Sequence, residues 1–81
     1  MDVVVYRKAG CPWAAAVMGF LDELDLVYHV RNMTSQPQYA RELEAKSGQC
    51  KSPSVDLDGE LLADASVEDV AKALEQRGII I

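Results

Sequence analysis

Residues 3–14, VVVYRKAGCPWA, constrain the fold of this chain more than any other stretch. A run of β-branched residues ends in Arg7 and Lys8, a small-residue turn follows, and an alanine-rich segment with helical spacing begins at Pro12. This pattern predicts a buried strand, a tight turn and a helix. Proline suits the first helical position, because the N–H that it lacks would be unpaired there. Cys11 is therefore expected at or beside the N-cap of the helix.

This position predicts a reactive thiol. The unpaired N–H groups and the positive dipole end of the helix would point at the sulfur of Cys11. With Lys8 and Arg7 just upstream, the thiol should ionise more readily than that of a free cysteine. The alternative interpretation is a buried and inert cysteine.

Length, charge and cysteine content narrow the class of protein. The 81 residues are expected to form one domain, 1–81. No apolar run approaches the roughly 20 residues of a membrane span, and the first residues do not read as a signal peptide. The net charge of −5 argues against nucleic acid and anionic membranes as partners. Two cysteines are a poor basis for the disulfide framework of a small secreted protein. We therefore expect a cytoplasmic monomer.

The remaining patterns predict the order β-α-β-α-β-β-α. The predicted elements are a strand at 2–6, a helix at 12–24, a strand at 26–31, a helix at 36–46, strands at 54–57 and 60–63, and a helix that follows Ser66 and ends at Gly78. The apolar stripe of the first helix is Val17, Phe20, Leu21 and Leu24. Parallel pairing is expected for the first two strands, because a helix lies between them.

Turn and cap residues support these boundaries. The stretch 35–38, SQPQ, fits a capping box at the start of the second helix, and Gly48 is a natural stop. Asp58-Gly59 is typical of a two-residue hairpin turn. Ser66, followed by Asp69, predicts a capping box at the last helix.

Several residues allow two interpretations. His29, the only histidine, is either a base or ligand or an outward residue of an edge strand; we favour the second, because nothing places it near Cys11. Gly19 lies inside a helix, where close packing against the sheet would explain it. The apolar tail 79–81 either packs on the domain or belongs to an interface. Four basic residues form a cationic patch if the fold brings them near Cys11, and are otherwise solvated: Arg7, Lys8, Lys46 and Lys51.

Four stretches in this order resemble the glutaredoxins of the thioredoxin fold over nearly the whole chain: VVVYRKAGCPW, the SGQ…SP loop, the DGELL hairpin and the cap ADAS. The N-terminal domain of glutathione transferases has a similar architecture. The resemblance implies an α/β fold with a mixed four-stranded sheet in the order 2-1-3-4, flanked by three helices. The first and last helices would share one face, with the second on the other. It also implies a cis Ser52–Pro53 bond against the active cysteine.

The resemblance implies a glutathione-dependent thiol-disulfide oxidoreductase, with Cys11 as the nucleophile. The chain departs from the family pattern in three places. Cys-Pro-Trp-Ala stands for Cys-Pro-aromatic-Cys, so Ala14 replaces the second thiol and a dithiol mechanism through that pair is excluded. Ala63-Asp64 stands for Gly-Gly, and Lys51-Ser52 stands for Thr-Val. Cys50 is a candidate for the resolving role; the alternative is a loop residue without redox use.

Glutathione is thus the expected co-substrate, with glutathionylated or disulfide molecules as substrates and no metal. Lys8, Gln49 and Lys51 would hold its carboxylates. Ser52, next to Pro53, would pair its backbone with the cysteinyl part. Asp64 and Ser66 would meet the γ-glutamyl end at the last helix start. Trp13 would lie at the rim beside the sulfur, unless it is a core residue. For each of the other residues, the alternative interpretation is a solvated side chain or a simple helix cap.

A second function class uses the same fold without turnover. The protein would then be a non-catalytic module that binds glutathione or a partner. A subsidiary form holds a [2Fe–2S] cluster between two chains through Cys11 and glutathione. We favour this form least, because proteins of that type carry Cys-Gly-Phe-Ser.

Overall fold

The computed structural model describes residues 1–79 and has the predicted order of elements. The strands are β1 (Val3–Arg7), β2 (His29–Asn32), β3 (Ser54–Leu57) and β4 (Glu60–Leu62), and the helices are α1 (Pro12–Glu23), α2 (Pro37–Ser47) and α3 (Val67–Gln76). The sheet order is β2-β1-β3-β4. β1 runs parallel to β2 and antiparallel to β3, and β3 runs antiparallel to β4. The predicted mixed sheet and its strand order are confirmed.

The alternation of side chains along β1 divides the core into two layers. Val3 and Val5 point to the face that α1 and α3 cover, whereas Tyr6 points to the face that α2 covers. The first core consists of Val3, Val5, Val17, Leu21, Val55, Leu57, Ala65, Val70, Ala73 and Leu74. The second core is smaller and consists of Tyr6, Met33 and Leu43. Each fully buried valine or leucine contributes roughly 1.5–3 kcal/mol, so the first core supplies most of the stability.

The predicted turns and two of the predicted helix ends are confirmed. Asp58 and Gly59 both have positive φ, 51° and 94°, as a type I′ hairpin requires. At the start of α3, the Ser66 side chain accepts from the Asp69 N–H while the Asp69 carboxylate accepts from the Ser66 N–H. Gly48 ends α2 in the left-handed region, with φ of 74°.

The second strand begins later than predicted, at His29 rather than at residue 26. The reason lies at the end of α1, where the chain leaves the helix through Asp25 with φ of 56°. The N–H of Asp25 donates to the Asp22 carbonyl and that of Leu26 to the Leu21 carbonyl, which is the Schellman arrangement. Tyr28 then packs on the first core from a loop. Some apolar residues of the predicted strand 26–31 therefore pack on the core from a loop and do not belong to β2.

The capping box predicted at residues 35–38 is wrong. The N-cap of α2 is Gln36, and it makes no side-chain cap. The Asn32 side chain instead accepts the N–H groups of Thr34 and Ser35, at 2.9 and 3.1 Å. An asparagine at the end of β2 therefore organises the approach to the helix, as Asx turns do.

Two smaller expectations have different outcomes. Gly19 is exposed, and a Cβ built on it meets no atom within 4 Å, so close packing does not explain this glycine. His29 is exposed on the edge strand and pairs with Val4, far along β1 from the turn that carries Cys11. Of the tail 79–81, only Ile79 lies within the described residues, and it is 41% exposed.

Candidate functional site

Cys11 is the N-cap of α1, as predicted. Its backbone is extended, with φ of −81° and ψ of 112°, and Pro12 begins the helix. The side chain is half-buried, and its Sγ lies 3.6 Å from the carbonyl oxygen of Ser52. The sulfur therefore sits between the start of the helix and the loop that precedes β3, open to solvent on one side.

The surroundings of Cys11 favour the thiolate. The nearby Ser52 side chain has the largest influence and lowers the pKa of the thiol. Partial burial opposes it, while the backbone N–H groups of Ala14 and Trp13 and the charge of Arg7 act in the same direction as Ser52. Hydrogen bonds to the charged form stabilise it, and a thiolate at a helix start is the reactive form of cysteine.

The basic residues contribute differently from what was predicted. Arg7, rather than Lys8, supplies the charge that acts on the Cys11 thiol. The Lys8 side chain is exposed, and it is the Lys8 backbone N–H that takes part in the site, by donating to the Ser52 hydroxyl at 2.9 Å. Lys46 lies on the other face of the sheet, against Tyr6 and Asp56. The four basic residues therefore do not form one patch.

The loop before β3 presents its backbone to the sulfur. The Ser52–Pro53 peptide is cis, as the resemblance implies, and Pro53 is buried. The Pro53 carbonyl accepts the Ala65 N–H at 2.8 Å, which joins this loop to the start of α3. Within residues 1–79 the Ser52 N–H donates to no acceptor, so it is available to an extended molecule laid beside the loop.

The side-chain amide of Gln49 bonds to residues at both ends of this loop and within it. Its amide nitrogen lies 2.6 Å from the Ser47 hydroxyl and 3.5 Å from the Ser54 hydroxyl, and its amide oxygen accepts the Lys51 N–H at 2.7 Å. The Lys51 side chain is exposed. The predicted contacts of both residues with a carboxylate remain predictions, and the described contacts of Gln49 are all with residues between the end of α2 and the start of β3.

A groove of about 180 Å³ lies beside the cysteine loop, between Trp13, Pro53, Asp64, Ala65 and Ser66. A second groove, of about 370 Å³, is lined by Trp13 and Ala16 of α1 and by residues 66–68 at the start of α3. Trp13 is 70% exposed, so it is a rim residue and not part of the core. The structure thus brings three of the predicted contact residues, Trp13, Asp64 and Ser66, to one depression next to Pro53.

Asp64 and Ser66 both make hydrogen bonds within the protein, of which the sequence predicts only the helix cap at Ser66. Asp64 adopts a left-handed conformation with φ of 49°, which aspartate tolerates better than most residues. Its N–H donates to the Ser54 hydroxyl at 3.3 Å, and its carboxylate is exposed. The Ser66 hydroxyl accepts the Asp69 N–H, so its capping role is established whether or not it also meets a ligand.

The family model for glutaredoxin matches residues 3–62. The chain belongs to the glutaredoxin family. This match supports a role in thiol oxidation and reduction that is related to glutathione. A comparison with curated proteins found no match.

Solved structures of glutaredoxin and thioredoxin-like proteins share the fold. The thioredoxin-like protein BC3987 is 23% identical, with a TM-score of 0.79 over 86% of this chain and 96% of its own. The glutaredoxin from Brucella melitensis is 23% identical, with a TM-score of 0.68 over 96% and 82%. An epsilon-class glutathione S-transferase from the housefly, Musca domestica, is 21% identical, with a TM-score of 0.71 over 93% of this chain but only 34% of its own.

In this glutaredoxin, Ala14 occupies the place of the second thiol and is completely buried. Cys50 is half-buried and packs against the second core, whereas the Cys11 sulfur faces the Ser52 carbonyl. Both cysteines are free thiols. The resolving role of Cys50 therefore stays a prediction.

A charged cluster around Tyr6 was not predicted from the sequence. The buried Tyr6 hydroxyl donates to Glu42 and accepts from Arg31 and Lys46, each at 3.0 Å. Arg31 pairs with Glu42 and lies 5.6 Å from the ring centroid of Tyr39. The hydrogen bond from Tyr6, followed by the contacts with Arg31, lowers the pKa of Glu42. This cluster joins α2 to the strands β1 and β2.

A depression of about 440 Å³ lies between β4 and α3, and no thiol lines it. In the described part of the chain, no group of three or more histidine, cysteine, aspartate or glutamate side chains is arranged for a metal ion. No helix among these residues has the length and apolar character to cross a bilayer.

Proposed function

We propose that this glutaredoxin is a glutathione-dependent thiol-disulfide oxidoreductase that works through one cysteine, Cys11. The observation that carries the proposal is the half-exposed Cys11 sulfur at the start of α1, where a serine, two backbone N–H groups and Arg7 favour the thiolate. A thiolate with access to solvent is the species that attacks a disulfide.

The reaction has two balanced exchange steps. The Cys11 thiolate attacks the glutathione sulfur of a mixed disulfide, the substrate leaves as a thiolate that takes a proton from water, and Cys11 becomes bound to glutathione. A second glutathione thiolate then attacks the sulfur of that bound glutathione. The Cys11–glutathione bond breaks, its electron pair returns to the Cys11 sulfur, and oxidised glutathione is released. Because Ala14 carries no thiol, the second step uses free glutathione and not a second cysteine of the motif.

The groove beside Pro53 is the proposed seat of the bound glutathione. The cysteinyl backbone of glutathione would pair with the Ser52 N–H in the manner of an added strand. This N–H has no acceptor within residues 1–79. The N–H groups at the start of α3 and the exposed Asp64 would meet the charged γ-glutamyl end. Lys8 and Lys51, both exposed, would hold the other carboxylate.

The decisive experiment is removal of glutathione from a small mixed disulfide, with reduced glutathione and a coupled reductase. The wild-type chain is expected to turn over, Cys11→Ser is expected to lose the activity, and Cys50→Ala is the matched control that keeps it. Glutathione binding without turnover in the wild-type chain would instead identify a non-catalytic binding module. An orange-brown protein after anaerobic purification would point to the cluster carrier.

A further inference from the structure

The second groove at Trp13, which we call the Glu68 groove, has a chemistry of its own. It is lined by Trp13, Ala16, Ser66, Val67 and Glu68. Its volume of about 370 Å³ falls within the roughly 300–1,000 Å³ of small-molecule pockets. It shares Trp13 and Ser66 with the groove beside Pro53, so the two grooves are adjacent. One molecule can therefore extend from one groove into the other.

The walls of the Glu68 groove are apolar. The Trp13 side chain is 70% exposed, Ala16 is also exposed, and Val67 is half-buried against the first core. Such walls suit the methylene groups of a long side chain. The exposed face of a tryptophan ring also attracts a cation. The walls thus favour a side chain that combines an apolar stem with a positive charge.

Glu68 gives this groove a negative charge. Glu68 is exposed, and no ion pair among residues 1–79 includes it. Lys72, one turn further along α3, lines the depression between β4 and α3 instead. The carboxylate of Glu68 therefore complements a cation and opposes an anion that enters the groove.

We propose that the Glu68 groove binds a lysine or arginine side chain of the glutathionylated substrate. Long cationic side chains bury their methylene stems and keep the charged end in water, so the stem packs on Trp13 and Val67 while the charge meets Glu68. In the first exchange step of the proposed function, on which this inference rests, a bond forms between the Cys11 sulfur and the glutathione sulfur. The bond from glutathione to the substrate sulfur breaks, and the substrate leaves as a thiolate that takes a proton from water.

The two grooves then separate the two halves of the mixed disulfide. Glutathione carries a net negative charge, because its carboxylates outnumber its ammonium group. Glu68 repels this half, whereas the exposed Lys8 and Lys51 attract it. A basic substrate half is held at Trp13, which leaves the glutathione sulfur as the one that Cys11 attacks. The favoured substrates are proteins that carry a basic residue next to the glutathionylated cysteine.

The test compares the glutathione mixed disulfides of three short peptides, in which both neighbours of the cysteine are arginine, glutamine or glutamate. Binding is measured with Cys11→Ser, which cannot react, by titration of the backbone amide signals of residues 66–68 in NMR spectra. The salt concentration is about 0.15 M, at which distant charges are screened. The arginine peptide should bind about 2- to 5-fold more tightly than the glutamine peptide, and the glutamate peptide should bind more weakly than both.

Two pairs of variants separate the groove from general effects. Glu68→Lys should reverse the order of the peptides, whereas Glu44→Lys makes the same charge change on an exposed residue of α2, across the sheet, and should keep it. Ala16→Gln fills the groove and should weaken binding of the arginine peptide. Ala15→Gln, at an exposed neighbour that lines neither groove, should not. The proposal is overturned if the three peptides bind alike, or if each control acts as strongly as its partner.

The binding measurement needs no turnover. The value of kcat/KM for the three peptides with the wild-type chain should follow the same order as their binding. A chain that prefers the arginine peptide without removing its glutathione contradicts the proposed function and not this inference. Removal of glutathione from all three peptides at equal kcat/KM, with equal binding, contradicts this inference and leaves the proposed function intact.

Discussion

Ala14→Cys should convert the single-thiol site into one that closes its own disulfide. Residue 14 is three positions after the N-cap Cys11, in the first turn of α1. Positions three apart in a helix have Cβ atoms roughly 5–6 Å apart, and small side-chain and backbone adjustments bring this within disulfide range. We expect mild oxidation to join Cys11 to the introduced thiol without glutathione.

The structure also sets the size of the effect on stability. Ala14 is 0% exposed, so an added sulfur overpacks the core and costs about 1–3 kcal/mol. This cost is present in both the reduced and the oxidised variant. Closing a loop of about four residues lowers the entropy of the unfolded chain and stabilises the oxidised form by about 1.9 kcal/mol. The comparison of the two redox forms therefore isolates the disulfide from the packing cost.

The assay is thermal unfolding of the reduced and oxidised variant, in a Cys50→Ala background so that no other thiol takes part. A difference of about 2 kcal/mol corresponds to a midpoint shift of about 8–15 °C in a domain of this size. The same treatment of Cys50→Ala with Ala14 intact is the control and should give no shift. If both thiols of the variant remain open to alkylation after oxidation, or if the two forms melt together, the placement of residue 14 beside the sulfur is wrong.

Three further predictions follow from other residues. Gly19→Ala should stabilise the chain by about 0.5–1 kcal/mol, because this exposed helix position has room for a methyl group; an unchanged or lower melting temperature contradicts this reasoning. The hydrogen bond from Tyr6 lowers the pKa of Glu42, so its contribution is present above the unfolded value of roughly 4.3 and disappears as pH falls through the folded value. Since the side chain of Glu42 is 37% exposed, Glu42→Gln should cost about 1 kcal/mol near neutral pH and progressively less in acid, as denaturant titrations at several pH values would show. Oxidation without glutathione should yield a peptide pair that joins Cys11 to Cys50 if Cys50 resolves; two alkylatable thiols would leave glutathione as the obligatory partner.

Most of the fold was predictable because its turns and helix ends are determined by residues that are close in sequence. Asp58-Gly59 at the hairpin, Gly48 at the end of α2, and Ser66 with Asp69 at the start of α3 each determine backbone geometry through a few neighbouring atoms. The start of β2 was missed because Asp25, and not a glycine, takes the left-handed position after α1. An aspartate is a weaker signal there than a glycine, because glycine is the residue that usually takes the left-handed position after a helix.

The candidate site was predictable at Cys11 and less so around it. The helix start and the proline place the sulfur by local rules, whereas the sequence left Trp13 open between rim and core, and its 70% exposure decides for the rim. The Ser52 hydroxyl accepts the N–H of Lys8, which is 44 positions away in sequence. The cluster of Tyr6, Arg31 and Glu42 likewise joins three elements. Composition and residue spacing do not reveal such contacts, because these contacts form only when segments distant in sequence pack together.

The exposure of Trp13 has a practical consequence for optical measurements. It is the single tryptophan of the chain, it lines both grooves beside the cysteine loop, and its indole is 70% exposed. Unfolding changes the exposure of this indole only slightly, so its emission is a poor reporter of the folding transition. A molecule that covers the grooves moves it to a less polar environment and shifts the emission to shorter wavelength. The protein thus carries its own fluorescent probe of occupancy, whereas its folding is better followed through the peptide backbone.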